Sequence, residues 1–510
     1  MDINLTKHTV NTEIELFSDT AEIILDGVIG NLHTGKPKKI LGCYGKSAIT
    51  SKNLSDKSVM LEGTTMICIL YLDEDDCLCS HEHVLPFSKN FDADTSLSGG
   101  EIKAKITDER VMASLTAQNE IKLSGVLSLF VSVVKNKEQD IICDIDSKHV
   151  EQLRKTLEVT VKVGCGEKNL IAEEEISIGN GQPSVGKLIR HCATASIEEI
   201  KAINDKVMVK GSVKIYVLYL PEEGTRPQSF EDSFPFSQLV DVAGVNDGCR
   251  CDGKATVLFS DLTPRVGNDD EIRAFSVAVK LNVSVKAYCE GEVSALLDAY
   301  STSGGCRVEK EELVFAKLKE KTKERTIARK GFEFTDGAIG SVIDMWCDLK
   351  NYFCRFEDGA FRLNATTTVC LLVYDCDGIP ACYERPVEIE YAYKPEYRPE
   401  NPEAECNITI THCTYTITGA NTVEIAVEPQ IELSVYDRIK QTFITELKED
   451  PTLADKAPRN SSIVLYFADE GETLWDIARR YNSSIEEIKT LNSVTEDTLT
   501  APHKFIIPTK

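Results

Sequence analysis

Tryptophan is scarce in this chain, with 2 in 510 residues, and basic residues are outnumbered, 57 Lys and Arg against 82 Asp and Glu. The net charge of -25 argues against a nucleic-acid partner, because phosphate is held by concentrated Lys and Arg. No run of about 18 consecutive apolar residues occurs, so no membrane span is expected. The opening "MDINLTKHTVNTEIELFSD" lacks the basic, apolar and small-residue order of a secretory leader, so export is not expected. The signatures G-x-S-x-G, H-E-x-x-H and C-G-x-C-W are missing, and no enzyme activity or cofactor is expected. Cysteine is not scarce, at 18, but this is no disulfide-scaffold density. Many cysteines sit inside apolar runs such as "MICILYL" and act there as small hydrophobes.

What the chain does have is a repeat. "VMLEGTTMICILYL" (Val59 to Leu72), "VMVKGSVKIYVLYL" (Val207 to Leu220) and "RLNATTTVCLLVYD" (Arg362 to Asp375) share an alternating pattern that runs into Tyr71, Tyr219 and Tyr374. Period-two alternation rich in Val, Ile, Thr and Tyr predicts strands. Each run is followed by an acidic or Gly-containing turn, "DEDD", "PEEG" or "DCDG". A second strand then carries "LPFS" (Leu85 to Ser88) in copy one and "FPFS" (Phe234 to Ser237) in copy two. Three antiparallel β-sandwich or barrel-like domains are therefore expected, at 1–155, 156–305 and 306–455. Charged stretches such as 309–330 read as helix-compatible connectors between them. This pattern resembles the SPOCS domain, the spore-coat repeat of spore-forming Firmicutes, with its "V-x-V-x-G-x-x-x-x-x-V-L-Y" strand and following "-PF-" segment. Copy three lacks both the strand glycine and the Pro-Phe.

Two motifs promise chemistry and fall short of it. "GQPSVGKL" (Gly181 to Leu188) approaches a phosphate-binding loop, but Leu188 stands where a magnesium-binding hydroxyl belongs. Pro183 also removes an N–H from such a loop, and is expected to start a helical turn instead. "CLCSHEH" places Cys77, Cys79, His81 and His83 on one side of a strand. Four ligands spaced two apart on a straight strand span too far for one tetrahedral zinc, so no metal is expected.

The composition changes after the linker "EDPTLADKAPRNSS". "IVLYFAD" reads as a strand, and "TLWDIARRY" as a helix capped by Thr473 with Asp476 three residues on. Ser484 and Glu487 suggest a second capping box, on a helix burying Ile485, Ile488 and Leu491. "KFIIP" supplies a closing strand. This βααβ order at 462–510, with "G-[DE]-T-L-W-x-I-A" and "[ST]-x-x-E-I-x-x-L-N", looks like a LysM domain. In glycan-binding members the sugar lies between the turn after strand one and the loop before strand two. The resemblance places that groove at Gly471, Glu472, Thr473, Leu474, Asn492, Pro502, His503 and Lys504. "APHKFIIP" departs from the family's usual "PGQ", and His503 stands where a small residue would let glycan approach.

The first strand of the module departs too. With Val464, Tyr466 and Ala468 facing the core, Ile463, Leu465 and Phe467 must point outward. Contiguous exposed apolar surface marks a protein contact, and Trp475 beside buried Leu474 is the kind of side chain that anchors one. The alternative is that these residues pack on the preceding β domain. SPOCS repeats followed by LysM are similar to SipL-type spore-coat morphogenetic proteins. That resemblance implies a non-enzymatic adaptor in the mother-cell cytoplasm, and later in the coat at the forespore surface. Its LysM domain would dock on the coat ATPase, stage IV sporulation protein A, with other coat proteins and self-association as further partners. The runner-up is a binder of peptidoglycan N-acetylglucosamine glycan.

Overall fold

The computed structural model describes residues 4–30, 32, 35–179, 181–224, 226–267, 270–303, 305–334, 339–449, 463–498 and 502–509. Apart from Glu449, the linker ahead of the last module lies outside them. A first unit contains β1 (Asn4–Ile29), β2 (Pro37–Leu54), β3 (Ser58–Asp73), β4 (Leu78–Asp92), β5 (Glu101–Leu115) and β6 (Ile121–Asp146). A second contains β7 (Val150–Ser177), β8 (Val185–Ile203), β9 (Lys206–Pro221), β10 (Gln228–Asp241), β11 (Arg250–Val266) and β12 (Ile272–Ser301). A third contains β13 (Cys306–Arg325), β14 (Ala328–Glu333), β15 (Ile339–Glu357), β16 (Ala360–Asp375), β17 (Pro380–Tyr393), β18 (Pro402–Gly419) and β19 (Thr422–Glu449).

The three units share one topology. Strands two, three and four form a meander: β2-β3-β4, β8-β9-β10 and β15-β16-β17. The first strand pairs with the last, which pairs with the fifth: β1-β6-β5, β7-β12-β11, and β13 with β14 on β19 beside β18. Each unit buries the apolar sides of its two sheets against each other. In the first, Leu61, Phe87, Leu127 and Leu129 meet; in the second, Val213, Phe236, Val279 and Leu281; in the third, Leu363, Val387, Val423 and Ile425.

The segment 309–330 is not a helical connector. It forms β13 and the start of β14, with Leu313 and Phe315 buried on alternate positions and Val314 exposed between them. Burial decides over charge content, because the alternation has period two. Nor does Pro183 start a helical turn: it follows a turn closed by the Gln182 N–H on the Gly179 carbonyl and leads into β8, and its own carbonyl accepts the Tyr219 hydroxyl at 3.0 Å. The third copy is also displaced by one residue from its apparent alignment. β3, β9 and β16 are each 16 residues long, so Tyr71 and Tyr219, both buried, correspond to Val373 and not to Tyr374.

The units close on one another about a pseudo-threefold axis. Near the outer ends of the long strands the registers pair Thr6 with Asp144, Leu153 with Asp298, and Glu309 with Glu446. Beside each acid the ladder skips one residue, Cys143, Leu297 or Thr445, the mark of a β-bulge. The residue after each strand-one partner is Lys7, Arg154 or Lys310. Arg154 of the second unit pairs with Asp144 of the first, and Lys310 of the third with Asp298 of the second. The Glu446 carboxyl of the third is held below its ordinary range by the Lys448 hydrogen bond and charge, with a smaller contribution from Lys7 of the first. Ile141, Leu157, Ala295, Leu313 and Phe443 form a core shared by all three units. A second shared core joins the meanders through Leu70, Leu218 and Leu372, equivalent positions on β3, β9 and β16.

Cys249 is bonded to Cys289 and Cys347 to Cys413, while Cys79 and Cys370 are buried thiols. Ion pairs seal the seam between the first two units. Lys162 Nζ lies 2.9 Å from Glu101 and 3.5 Å from Glu13, and Lys103 lies 2.6 Å from Glu13. Burial pushes both carboxyls up. Their donors outweigh it, Lys103 and Lys162 on Glu13, Cys165 and Lys162 on Glu101, and both acids end below the ordinary carboxylate range. The folded chain therefore holds fewer protons than the unfolded one as the pH drops through that range, and stability falls with it. Thermal melts from about pH 5 down to pH 3 are expected to show this slope, flattened in Lys162→Met. Equal slopes in the two proteins would remove the seam as its source.

Candidate functional site: the C-terminal module

The last module is built on two short strands, β20 (Ile463–Ala468) and β21 (His503–Pro508), and two helices, α1 (Leu474–Tyr481) and α2 (Ile485–Asn492). Gly471 at φ +87° makes the turn out of β20, a left-handed conformation suited to glycine. Thr473 then caps α1: its hydroxyl accepts the Asp476 N–H at 3.1 Å and donates to the Asp476 carboxylate at 2.6 Å. Leu474, Ile477 and Ala478 from α1 and Ile488 from α2 pack on Ala468, Phe505 and Ile507. The second helix differs from the sequence pattern. Ser484 makes no side-chain capping bond, and Leu491 is exposed rather than buried. The α2 N-terminus is met instead from the second unit, where Glu151 accepts the Ile485 N–H at 3.3 Å.

Sheet alternation turns one apolar face of the module outward. Ile463, Leu465 and Phe467 are 59%, 50% and 70% exposed, and the register sets Leu465 opposite Ile506, itself exposed, and Phe467 opposite Lys504. The Lys504 ammonium lies 5.6 Å from the centre of the Phe467 ring. Trp475 is elsewhere. It is half-buried on the helical side, its ring 5.0 Å from Tyr300 and its indole N–H donating to Asp298 at 3.2 Å. The four residues taken together as a contact surface thus divide into an outward apolar strand and an indole held by the chain's own second unit.

The groove residues carry structural duties. The Asn492 side chain donates to the carbonyls of Ile488 and Ile506 and accepts the Ile506 N–H at 2.7 Å, fastening β21 to α2. Glu472 accepts the Tyr466 hydroxyl at 2.7 Å, and that hydrogen bond together with the Asp469 N–H holds its carboxyl below the ordinary range. Leu474 is buried; Pro502, His503 and Lys504 are exposed, with the His503 ring 4.7 Å from Phe505. Residues 499–501 of the second groove loop lie outside the described residues.

The other motifs resolve into contacts between units. Lys187, the lysine of the loop-like GQPSVGKL, donates to Cys79 at 2.8 Å across the first seam. Cys79 is buried, His81 and His83 stack on each other at 6.3 Å, and no group of three His, Cys, Asp or Glu among the described residues is placed to hold a metal. One arrangement was not legible in the sequence. His191 Nε2 hydrogen-bonds Ser260 Oγ at 3.1 Å, and its Nδ1 lies 2.9 Å from Glu82 without the alignment of a hydrogen bond. Ser260 is buried on β11 opposite Val279, and the acid does not orient the imidazole as a nucleophile's base requires. The trio links β4, β8 and β11.

Comparison with known proteins agrees with these parts. The family model described as SipL, SPOCS domain matches residues 36–116 and 184–263, which run from β2 through β5 and from β8 into β11. The LysM domain model matches residues 469–508. No curated protein and no solved structure gives a significant match. Both domain families are non-catalytic binding domains, and together they support a sporulation-related adaptor or peptidoglycan-binding role. The chain carries two copies of the SipL SPOCS domain and one LysM domain, the pairing of the SipL-type proteins that its sequence resembles.

Proposed function

We propose that this chain is a non-enzymatic adaptor of spore-coat assembly, with the LysM sheet face as its protein-binding surface. The observation that carries the reading is the exposed apolar strip of Ile463, Leu465, Phe467 and Ile506 on a module whose Trp475 is already held by the second unit. A sugar groove needs hydrogen-bonding groups free to turn toward hydroxyls, whereas Asn492 here spends its amide on β21. The partner in view is the coat ATPase, stage IV sporulation protein A, met in the mother cell and binding the coat to the forespore surface. The triangular body of β units is the spacer, with self-association among its uses.

Retention of the full-length chain on immobilised coat ATPase, compared with retention on purified peptidoglycan, tests the reading. Leu465→Glu and Phe467→Glu are expected to weaken ATPase retention about 30-fold, the size of one lost hot spot. Both positions are exposed, so the fold should be spared. Retention on peptidoglycan with ATPase retention unchanged in both variants would replace the adaptor by the glycan binder.

A further inference from the structure

We propose that Asp298 and Tyr300 form a latch that holds the LysM domain by its helical side and keeps Trp475 out of reach of partners. Three strands from two units make the contact. From β12, Asp298 accepts the Trp475 indole N–H at 3.2 Å and the Arg479 guanidinium on the same oxygen. Tyr300, also on β12, donates its hydroxyl to the Ser483 carbonyl at 2.8 Å and sets its ring edge-on to Trp475. From β13, Lys310 lies 2.9 Å from the other Asp298 oxygen as an ion pair. From β7, Glu151 meets the start of α2.

The pseudo-threefold arrangement shows why the module sits at this tip and at neither of its counterparts. Two residues beyond the acid stand Asp146 in the first unit and Lys448 in the third, where the second has Tyr300. Asp144 has Arg154 as its ion-pair partner and Glu446 has Lys448. Only Asp298 combines a carboxylate with an adjacent aromatic surface, the combination that an indole with one N–H requires. Asp298 is 5% exposed, and the cations and the indole around it supply the partners that a buried carboxylate needs.

The contact is also built to open. It rests on two carboxylates, one tyrosine and cations that remain partly in water, with Arg479 47% exposed at its side chain. Polar inter-domain contacts of this kind permit relative motion. While the latch is closed, the helices face the β units and the apolar strip faces away, since α1 and α2 pack on the opposite side of the β20–β21 sheet. Opening frees Trp475 and Arg479 as a second surface. Only this last consequence rests on the adaptor reading; the latch itself does not.

The chain has two tryptophans, so its indole N–H resonances form a two-signal spectrum, with Trp475→Phe assigning them. In the full chain without any partner, Asp298→Asn is expected to speed solvent exchange of the Trp475 indole N–H about 30-fold, the effect of truncating a buried hydrogen-bonded charge, and Arg479→Gln about 3-fold, because that guanidinium stands half in water. Arg479→Gln leaves the core shared by the units intact, which separates opening from unfolding. Asp144→Asn, at the equivalent tip of the first unit, should leave the signal unmoved. An unchanged exchange rate in Arg479→Gln, or an equal increase in Asp144→Asn, would overturn the latch. ATPase retention of the same variants bears on the adaptor reading alone.

Discussion

Asp344→Ala is expected to cost about 3–5 kcal/mol, because it strands the Arg190 guanidinium in the core that joins the meanders. The two side chains are 6% and 11% exposed and 3.0 Å apart. Burial alone would lower the Arg190 pKa, but Asp344 outweighs it and holds the group above its ordinary range. Arginine cannot shed its proton as a lysine would, so the charge stays when the acid goes. The surroundings deepen the loss. The guanidinium lies 4.2 Å from the centre of the Trp346 ring, and Asp344 also accepts the Tyr216 hydroxyl at 2.7 Å. Arg190 sits on β8 and Asp344 on β15, so the pair ties the second unit to the third. The double variant Arg190→Leu with Asp344→Leu is expected to recover most of the stability, since apolar replacement of a buried pair is often neutral. Trp346 fluorescence during urea unfolding reports on this core directly. A midpoint for Asp344→Ala as high as that of the double variant would show the pair to be dispensable.

The parts of this molecule governed by neighbours in sequence were legible. Alternation at Val59, Leu61, Ile67 and Ile69 marks a strand with one buried face, and the Thr473 cap depends only on Asp476, three residues on. What depended on distant residues was not. The first strand of each unit pairs with the last, so Asn4 finds Asp146 across more than a hundred residues, and nothing in a local window encodes that choice. The same holds for β13, whose lysines and glutamates suit a helix until the shared core claims Leu313 and Phe315. Ser484 and Glu487 satisfy the capping pattern, yet Glu151, 334 residues from Ile485, meets that helix end. The outward face of β20 followed from strand geometry. The place of Trp475 required Asp298 and Tyr300, whose role at the second tip shows only once the three units are superposed by register.

Gly211→Ala is expected to destabilise the second unit by about 3 kcal/mol, at the upper end for overpacking a well-filled core. A Cβ there would fall well inside contact distance of the Ser196 carbonyl and of the Phe236 ring. Gly63 faces the same pair of obstacles, the Ala48 carbonyl and Phe87. In the third unit Ala365 takes the glycine's position and Ile389 the phenylalanine's, as the registers show. The missing glycine and the missing Pro-Phe of copy three are thus one coupled exchange. A third change accompanies them. The bulge on the preceding strand lies opposite Gly63 and Glu62, and opposite Gly211 and Lys210, but has moved to face Thr367 and Thr366 in the third unit. With the bulge moved, the strand facing Ala365 runs in unbroken register, Tyr352 opposite it and Phe353 opposite Asn364. Phe236→Ile added to Gly211→Ala should therefore leave most of the loss in place, because the backbone carbonyl of Ser196 remains where it was. Full recovery in that double variant, measured as the thermal midpoint, would make the ring the sole obstacle and the bulge irrelevant.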